Sequence, residues 1–117
     1  MADTITLYGI PNCDTVKKAR KWLDTNGVGY EFHDYKKHGI DKPRLTRWSR
    51  ELGWEALVNK RGTTWRKLPD ADKQNLTQSK AITLMIDNTS LIKRPVVETG
   101  EALSVGFDET HYKSLFT

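Results

Sequence analysis

The first third of the chain has a strand, helix, strand order, which restricts the folds open to it. The run TITLYGI is rich in β-branched and aromatic residues and is ended by Pro11, so it predicts a first strand. The apolar residues that follow have helical spacing: Val16, Ala19 and Leu23. Apolar and polar residues then alternate over 28–34, which predicts a second strand. This unit implies parallel pairing through a right-handed crossover.

A helical middle follows. Pro43 opens a predicted second helix, and the segment 54–80 lacks strand alternation, so it predicts short helices and turns. Ser79 is the expected cap of a helix over 80–87.

The chain is predicted to end with two short strands at 96–98 and 102–105, and a last helix that Asp108 opens. The full order is βαβ, a helical middle, then ββα. We therefore expect an α/β fold, in one domain over 1–117.

Composition narrows the class of protein. The chain has 117 residues, 37% of them hydrophobic, which suits one packed core. No apolar run reaches the ~18 residues of a membrane span, and the N-terminus lacks a signal-peptide pattern, so we expect a cytoplasmic protein with no membrane partner. The net charge of +4 is spread among acidic residues, so nucleic acid is not an expected partner. We also expect a monomer.

Cys13 is the single cysteine, so it cannot form an internal disulfide and its thiol is free in a reducing compartment. The element order places it at or just before a helix N-terminus. The unpaired amides and the positive dipole end there would stabilise a thiolate. Cations from other segments would lower its pKa further, with three candidates: Arg94, Lys60 and Arg61.

An inert, buried Cys13 is the alternative, because free cysteine is among the most buried residue types. Its position argues against this. The residue lies in a proline-containing loop between polar Asn12 and Asp14, not within an apolar stripe.

Arg94-Pro95 is a second candidate feature. An X-Pro bond can be cis, which would expose backbone to a ligand. A basic turn residue before an ordinary strand-opening proline is the alternative, and generic sequence patterns favour it.

The three histidines have no cysteine partners at zinc-site spacing and no carboxylate cluster around them. We therefore predict no metal site, and expect His33, His38 and His111 to lie on the surface or in loops.

Four segments together resemble the YffB branch of the ArsC/Spx, or arsenate reductase-like, family. They cover nearly the whole chain: LYGIPNCDTVKKARKWL, FHDYKKHG, ELGWEALVNKRGTTWRKL and LIKRPVVE. The resemblance implies a thioredoxin-like fold with a helical insertion, which in this chain would span about 41–88.

The resemblance also implies a site. Cys13 matches the family's catalytic cysteine, and Arg94 with Pro95 matches its anion-binding arginine and cis-proline. Asn12, Lys60 and Arg61 complete the substrate-binding set that we expect. The implied activity is that of a glutathione-dependent thiol reductase with no bound cofactor. Glutathione would be the co-substrate, with glutaredoxin or an oxidised thiol as a further partner.

The sequence departs from the family pattern in two places. Spx-like regulators often carry a second cysteine three residues on, where this chain has Val16, so no internal disulfide switch can form. Arsenate reductases of this fold use two further arginines. Arg61 matches one loosely, and 103–107 contains none. An Spx-like interaction protein and an arsenate reductase proper remain as alternative functions.

Overall fold

The computed structural model describes residues 5–99 and 102–116. The chain forms two compact units. The first combines the segment up to His38 with the segment from Arg94 onward, and the second is the continuous stretch Gly39–Lys93 between them. The prediction of one domain with an insertion at about 41–88 stays a prediction.

The first unit contains a four-stranded mixed sheet of order β2-β1-β3-β4. The strands are β1 Thr6–Gly9, β2 Glu31–Asp34, β3 Val96–Glu98 and β4 Leu103–Val105. β1 and β2 are parallel, whereas β1 with β3 and β3 with β4 are antiparallel. The four predicted strands and the parallel first pair are confirmed. Thr4, which opens the first predicted strand, lies outside the described residues.

The helices are α1 Asp14–Thr25, α2 Tyr35–His38, α3 Lys42–Leu52, α4 Trp54–Leu57, α5 Thr63–Lys67, α6 Asp70–Lys73, α7 Gln78–Asp87 and α8 Glu109–Phe116. A 3-10 turn spans Thr89–Leu91. The predicted succession of βαβ, helical middle and ββα is therefore confirmed, with α2 as a short helix that the sequence did not indicate.

Helix α1 packs one face on the sheet. Val16, Ala19 and Leu23 on this face are fully buried, as their spacing predicted. They form one cluster with Leu7 of β1, Val97 of β3 and side chains of α1 and α8. Removing this apolar surface from water is the main force that holds α1 against the strands. This packing holds the N-terminal end of α1, which Cys13 caps, against the sheet.

The second unit packs α3, α4 and α7 together. Asp41 caps α3, because its Oδ2 accepts a hydrogen bond from the Arg44 amide at 3.0 Å. Leu45 and Trp48 of α3 are fully buried. Met85 of α7 is fully buried as well.

The predicted cap of α7 was wrong. The helix begins at Gln78, and Ser79 lies inside its first turn. Thr77 is the cap instead, because its backbone is extended and its Oγ1 accepts a hydrogen bond from the Lys80 amide at 3.3 Å. Thr77 and Ser79, two positions apart, both carry a hydroxyl that can cap a helix, and the one closer to the N-terminus is the cap.

The expectation for His33 was also wrong, whereas His38 and His111 are exposed as expected. His33 lies in β2, opposite Tyr8 of β1, and is half-buried. Its ring centroid is 4.8 Å from that of Tyr8. Pairing of the two strands thus brings the imidazole against an aromatic neighbour.

Candidate functional site

Three chain segments enter or leave the sheet at the same end of its strands. Parallel β1 and β2 both end there, with Gly9 paired to Asp34. Antiparallel β3 begins there, at Val96. The side chains that follow or precede these strand ends are Cys13, Tyr35 and Arg94. The register of the sheet therefore gathers these three residues from distant parts of the chain.

Cys13 is the N-cap residue of α1, with extended backbone angles φ −97° and ψ 124°. Its carbonyl accepts the first helical hydrogen bond, from the Lys17 amide at 2.9 Å. The side chain makes no capping hydrogen bond of ordinary geometry. The amides of Val16 and Thr15 nevertheless lie close enough to stabilise negative charge on Sγ. The predicted position of Cys13 at the helix start is confirmed.

The pKa of Cys13 is lowered from its ordinary value. Partial burial of the thiol raises this pKa, but the favourable contacts outweigh it. They are the Val16 amide, the hydrogen bond and positive charge of Arg94, and the Thr15 amide. The environment therefore favours the thiolate, which is the nucleophilic form of cysteine.

Arg94 lies beside Cys13 and donates a hydrogen bond to its sulfur. The Arg94-Pro95 peptide is cis. Arg94 is half-buried and its Nε is a buried atom. Pro95 is buried, and its carbonyl accepts a hydrogen bond from the Gly106 amide at 2.8 Å, just after β4. The structure therefore brings Arg94 to the thiol, whereas its role as an anion ligand stays a prediction.

Tyr35 is a residue of this edge that sequence analysis did not single out. It is 2% exposed, and its ring stacks on Tyr8 at a centroid distance of 6.3 Å. Burial raises the pKa of Tyr35, the nearby Tyr8 adds to this, and the charge of Arg94 opposes it. A signal existed in the sequence, because side chains that follow parallel strands meet at the same sheet edge.

The other predicted site residues differ in their placement. Asn12 is exposed and adjoins Cys13 in the loop before α1. Lys60 and Arg61 are exposed residues of the second unit. The Lys60 ammonium lies 5.6 Å from the centroid of the Trp65 ring, and the Arg61 amide donates to Asn59 Oδ1 at 3.1 Å. Their proposed roles in binding an anion stay predictions.

Within residues 5–99 and 102–116, no group of three or more histidine, cysteine, aspartate or glutamate side chains is arranged to hold a metal ion. Across that same part of the chain, no helix has the length and apolar character needed to cross a membrane.

A four-stranded mixed sheet with the only cysteine of the chain placed directly before its first helix defines a thioredoxin-like α/β protein. Comparison with known proteins makes the assignment specific. The model of the ArsC family matches residues 8–115. The chain belongs to the ArsC family.

Three similar proteins illustrate this relationship. A solved structure described as YffB (PA3664) protein is 51% identical, with a TM-score of 0.95, over 97% of this chain and 100% of that one. An arsenate reductase (ArsC) related protein from Brucella melitensis is 46% identical, with a TM-score of 0.76, over 97% and 95% of the two chains. The global transcriptional regulator Spx of Streptococcus mutans is 29% identical over 94% of this chain and 81% of its own length.

These likenesses confirm the predicted fold class and the resemblance to the YffB branch of the ArsC/Spx family. Family membership and the arsenate reductase-related neighbour also support a thiol-reductase or ArsC-like role. The alternative of an ordinary trans proline after Arg94 is wrong, since that peptide is cis.

Proposed function

We propose that the protein is a glutathione-dependent thiol reductase that uses Cys13 as its only protein nucleophile. The observation that carries this proposal is the position of Cys13 at the start of α1 with Arg94 beside it, an environment that lowers the pKa of the thiol. A thiolate at neutral pH attacks disulfide sulfur, and a thiol does not. Because the chain has one cysteine, the second thiol of the cycle comes from outside the chain.

The reaction has two exchange steps. The Cys13 thiolate attacks the glutathione sulfur of a mixed disulfide between glutathione and a substrate thiol. A Cys13-glutathione disulfide forms and the substrate leaves as a thiolate, which takes up a proton. A second glutathione, as thiolate, then attacks the glutathione sulfur bound to Cys13. Glutathione disulfide is released and the Cys13 thiolate is restored, so that the second glutathione is oxidised as the substrate sulfur is reduced.

Arg94 has two roles in this proposal. Its charge would stabilise the Cys13 thiolate before attack, and its guanidinium would bind the carboxylate of glutathione. Asn12, Lys60 and Arg61 are the remaining proposed ligands. Glutaredoxin, or an oxidised protein thiol, is the proposed further partner.

The test is a turnover assay with a glutathione mixed disulfide of a small thiol, in which glutathione disulfide formation is measured by a coupled glutathione reductase. Wild type should turn over, and Cys13→Ser should lose at least about 100-fold. Ser114→Ala, an exposed hydroxyl change in α8, is the matched control and should be unaffected. Mass spectrometry should detect the Cys13-glutathione adduct. A wild type with neither turnover nor adduct would refute the proposal.

Two other functions have specific support. Similarity to the regulator Spx favours an interaction protein in which Cys13 acts at most as a sensor. A partner captured from lysate equally by wild type and Cys13→Ser, without turnover by either, would favour that function.

The arsenate reductase-related neighbour favours arsenate as substrate. The absence of arginine from 103–107 argues against it, because a multiply charged oxyanion would lose a ligand.

A further inference from the structure

A cleft opens beside helix α1, next to the face that the helix packs on the sheet. Lys18, Lys21, Trp22 and Thr25 line it, and their spacing of three or four residues places them on one stripe of the helix. Phe107, which follows β4, lines it from a different segment. The cleft has a volume of about 320 Å³. Pockets that bind small molecules range from about 300 to 1,000 Å³, so this one is large enough for a small ligand.

Two aromatic side chains give the cleft its apolar surface. The ring centroid of Trp22 lies 5.5 Å from that of Tyr112, and the ring centroid of Phe107 lies 4.9 Å from it. Both contacts are close to perpendicular, with interplanar angles of 85° and 89°. Tyr112 is fully buried, so this shared neighbour holds both rings in place. A planar ring that enters the cleft therefore meets aromatic surface that is already ordered.

The rim of the cleft favours a negative charge. Lys18 and Lys21 are exposed and supply two ammonium groups, whereas Glu109 supplies one carboxylate. Two positive charges less one negative charge leave the lining with a net charge of +1. Neither ammonium group pairs with a carboxylate in the part of the chain that the structure describes. Both groups therefore remain available to an anionic ligand in the cleft.

We propose that this cleft binds a small aromatic carboxylate, with its ring against Trp22 and Phe107 and its carboxylate at Lys18 and Lys21. The occupant is a free molecule of about one ring and one carboxylate, because the volume lies at the small end of ligand-binding pockets. Charge selects the carboxylate, and the aromatic surface selects the ring.

The cleft is separate from the thiol site of the proposed function. Lys18 follows Cys13 by five residues and Trp22 follows it by nine. At a rise of 1.5 Å per residue, the cleft extends from about 8 to about 14 Å beyond Cys13 along the axis of α1. A ligand in the cleft does not have to displace a substrate of Cys13, so the proposal stands whether or not the protein is a reductase.

Binding is measured by NMR on the ¹⁵N-labelled chain at about 0.15 M salt. The four tryptophans give four indole N–H signals, and the Trp22 signal is the one that Trp22→Phe removes. Three probes are titrated separately. Phenylacetate carries both the ring and the charge, phenylacetamide keeps the ring without the charge, and acetate keeps the charge without the ring.

Phenylacetate should shift the Trp22 indole signal and the Phe107 amide signal along one saturable curve. It should bind about fivefold more tightly than phenylacetamide, because it alone pairs with the two lysines. Acetate should leave the Trp22 signal in place. Lys21→Ala should weaken phenylacetate binding about twofold to threefold. Lys17→Ala is the matched control, since it removes the same charge from an exposed position of α1 outside the cleft, and should leave binding unchanged.

Glu109→Gln tests the charge of the rim in the opposite direction. It removes a carboxylate that repels an anionic ligand, so affinity for phenylacetate should rise about twofold. Affinity for the neutral phenylacetamide should stay the same. A variant with a damaged fold cannot bind one probe more tightly while binding the other equally well.

Four results would overturn the proposal. The first is a Trp22 signal that no probe shifts at about 10 mM, where a fragment of this size is expected to bind. The second is equal affinity for phenylacetate and phenylacetamide, and the third is equal weakening by Lys17→Ala and Lys21→Ala. The fourth is protection of Cys13 from alkylation by phenylacetate without a shift of Trp22, which would place the anion at the thiol. None of these results depends on disulfide turnover, so failure of the reductase leaves the cleft unaffected.

Discussion

At Cys13, burial and polar contacts shift the pKa of the thiol in opposite directions. Burial alone would raise the pKa and give an inert cysteine. Two backbone amides and one guanidinium reverse this outcome. The amides belong to Val16 and Thr15 and cannot be removed by mutating side chains, whereas the contribution of Arg94 can. Mutating Arg94 therefore tests how far a side chain stabilises the Cys13 thiolate.

Replacing Arg94 by alanine should raise the pKa of Cys13, because a hydrogen bond and a positive charge are lost while burial remains. The rate of alkylation by iodoacetamide follows the thiolate fraction, so its pH midpoint should move upward. Near neutral pH, Arg94→Ala should react about tenfold more slowly than wild type. The measurement is the alkylation rate across a pH series.

Lys93→Ala is the control for this prediction. It removes the same unit of charge at the adjacent, exposed position. Its pH midpoint should stay at the wild-type value. Equal midpoints for wild type and Arg94→Ala would show that the guanidinium does not stabilise the thiolate.

Among the elements, strand β1 and helix α1 approach each other closely at one point. A Cβ added at Gly9, the last residue of β1, would lie 2.7 Å from Val16 Cγ2 in α1. Real Cβ contacts are not so short, so glycine is the residue that lets helix and strand meet here. Val16 also supplies an amide to the Cys13 thiolate. Packing of α1 on β1 and the reactivity of the thiol therefore depend on the same contact.

Gly9→Ala should destabilise the fold by about 1 to 3 kcal/mol, because the extra methyl group overpacks the contact. It should also raise the pKa of Cys13, since the first turn of α1 must move. Chemical denaturation and the pH series of alkylation measure these two effects.

Two further variants control for other causes. Gly29→Ala should be close to neutral, because nothing lies within 4 Å of a Cβ there. Adding Val16→Ala to Gly9→Ala should recover part of both losses. A destabilised Gly9→Ala that the second change does not rescue would assign the cost to backbone conformation instead of the contact.

The sequence pattern predicted elements well where one physical signal decided them. The helical spacing of Val16, Ala19 and Leu23 predicted the buried face of α1, and the position of Cys13 followed from it. The cap of α7 was misplaced because Thr77 and Ser79 carry the same chemistry and only the local backbone separates them. The expectation for His33 was wrong, and Tyr35 was not singled out, for a different reason. Their surroundings come from strand pairing, which joins residues far apart in sequence.

At the scale of the whole molecule, charge favours anionic ligands. The net charge is +4, and α1 exposes Lys17, Lys18 and Lys21 along the helix that begins at Cys13. These charges attract anions at long range, whereas Arg94 acts next to the sulfur. Salt screens the first effect more than the second, because partly buried charges are less accessible to counterions.

Iodoacetate and iodoacetamide have the same reactive carbon and leaving group but differ in charge, so the ratio of their rates with Cys13 reports the potential at the sulfur. Between about 0.01 M and 1 M salt the Debye length falls from about 30 Å to about 3 Å. The ratio of iodoacetate to iodoacetamide rates should therefore fall by about threefold or more.

Arg94→Ala should lower the ratio at every salt concentration. Lys21→Ala, which changes net charge equally, should lower it only at low salt. A ratio that does not change with salt in wild type would show that the positive surface does not reach Cys13, and would restrict anion attraction to the contact with Arg94.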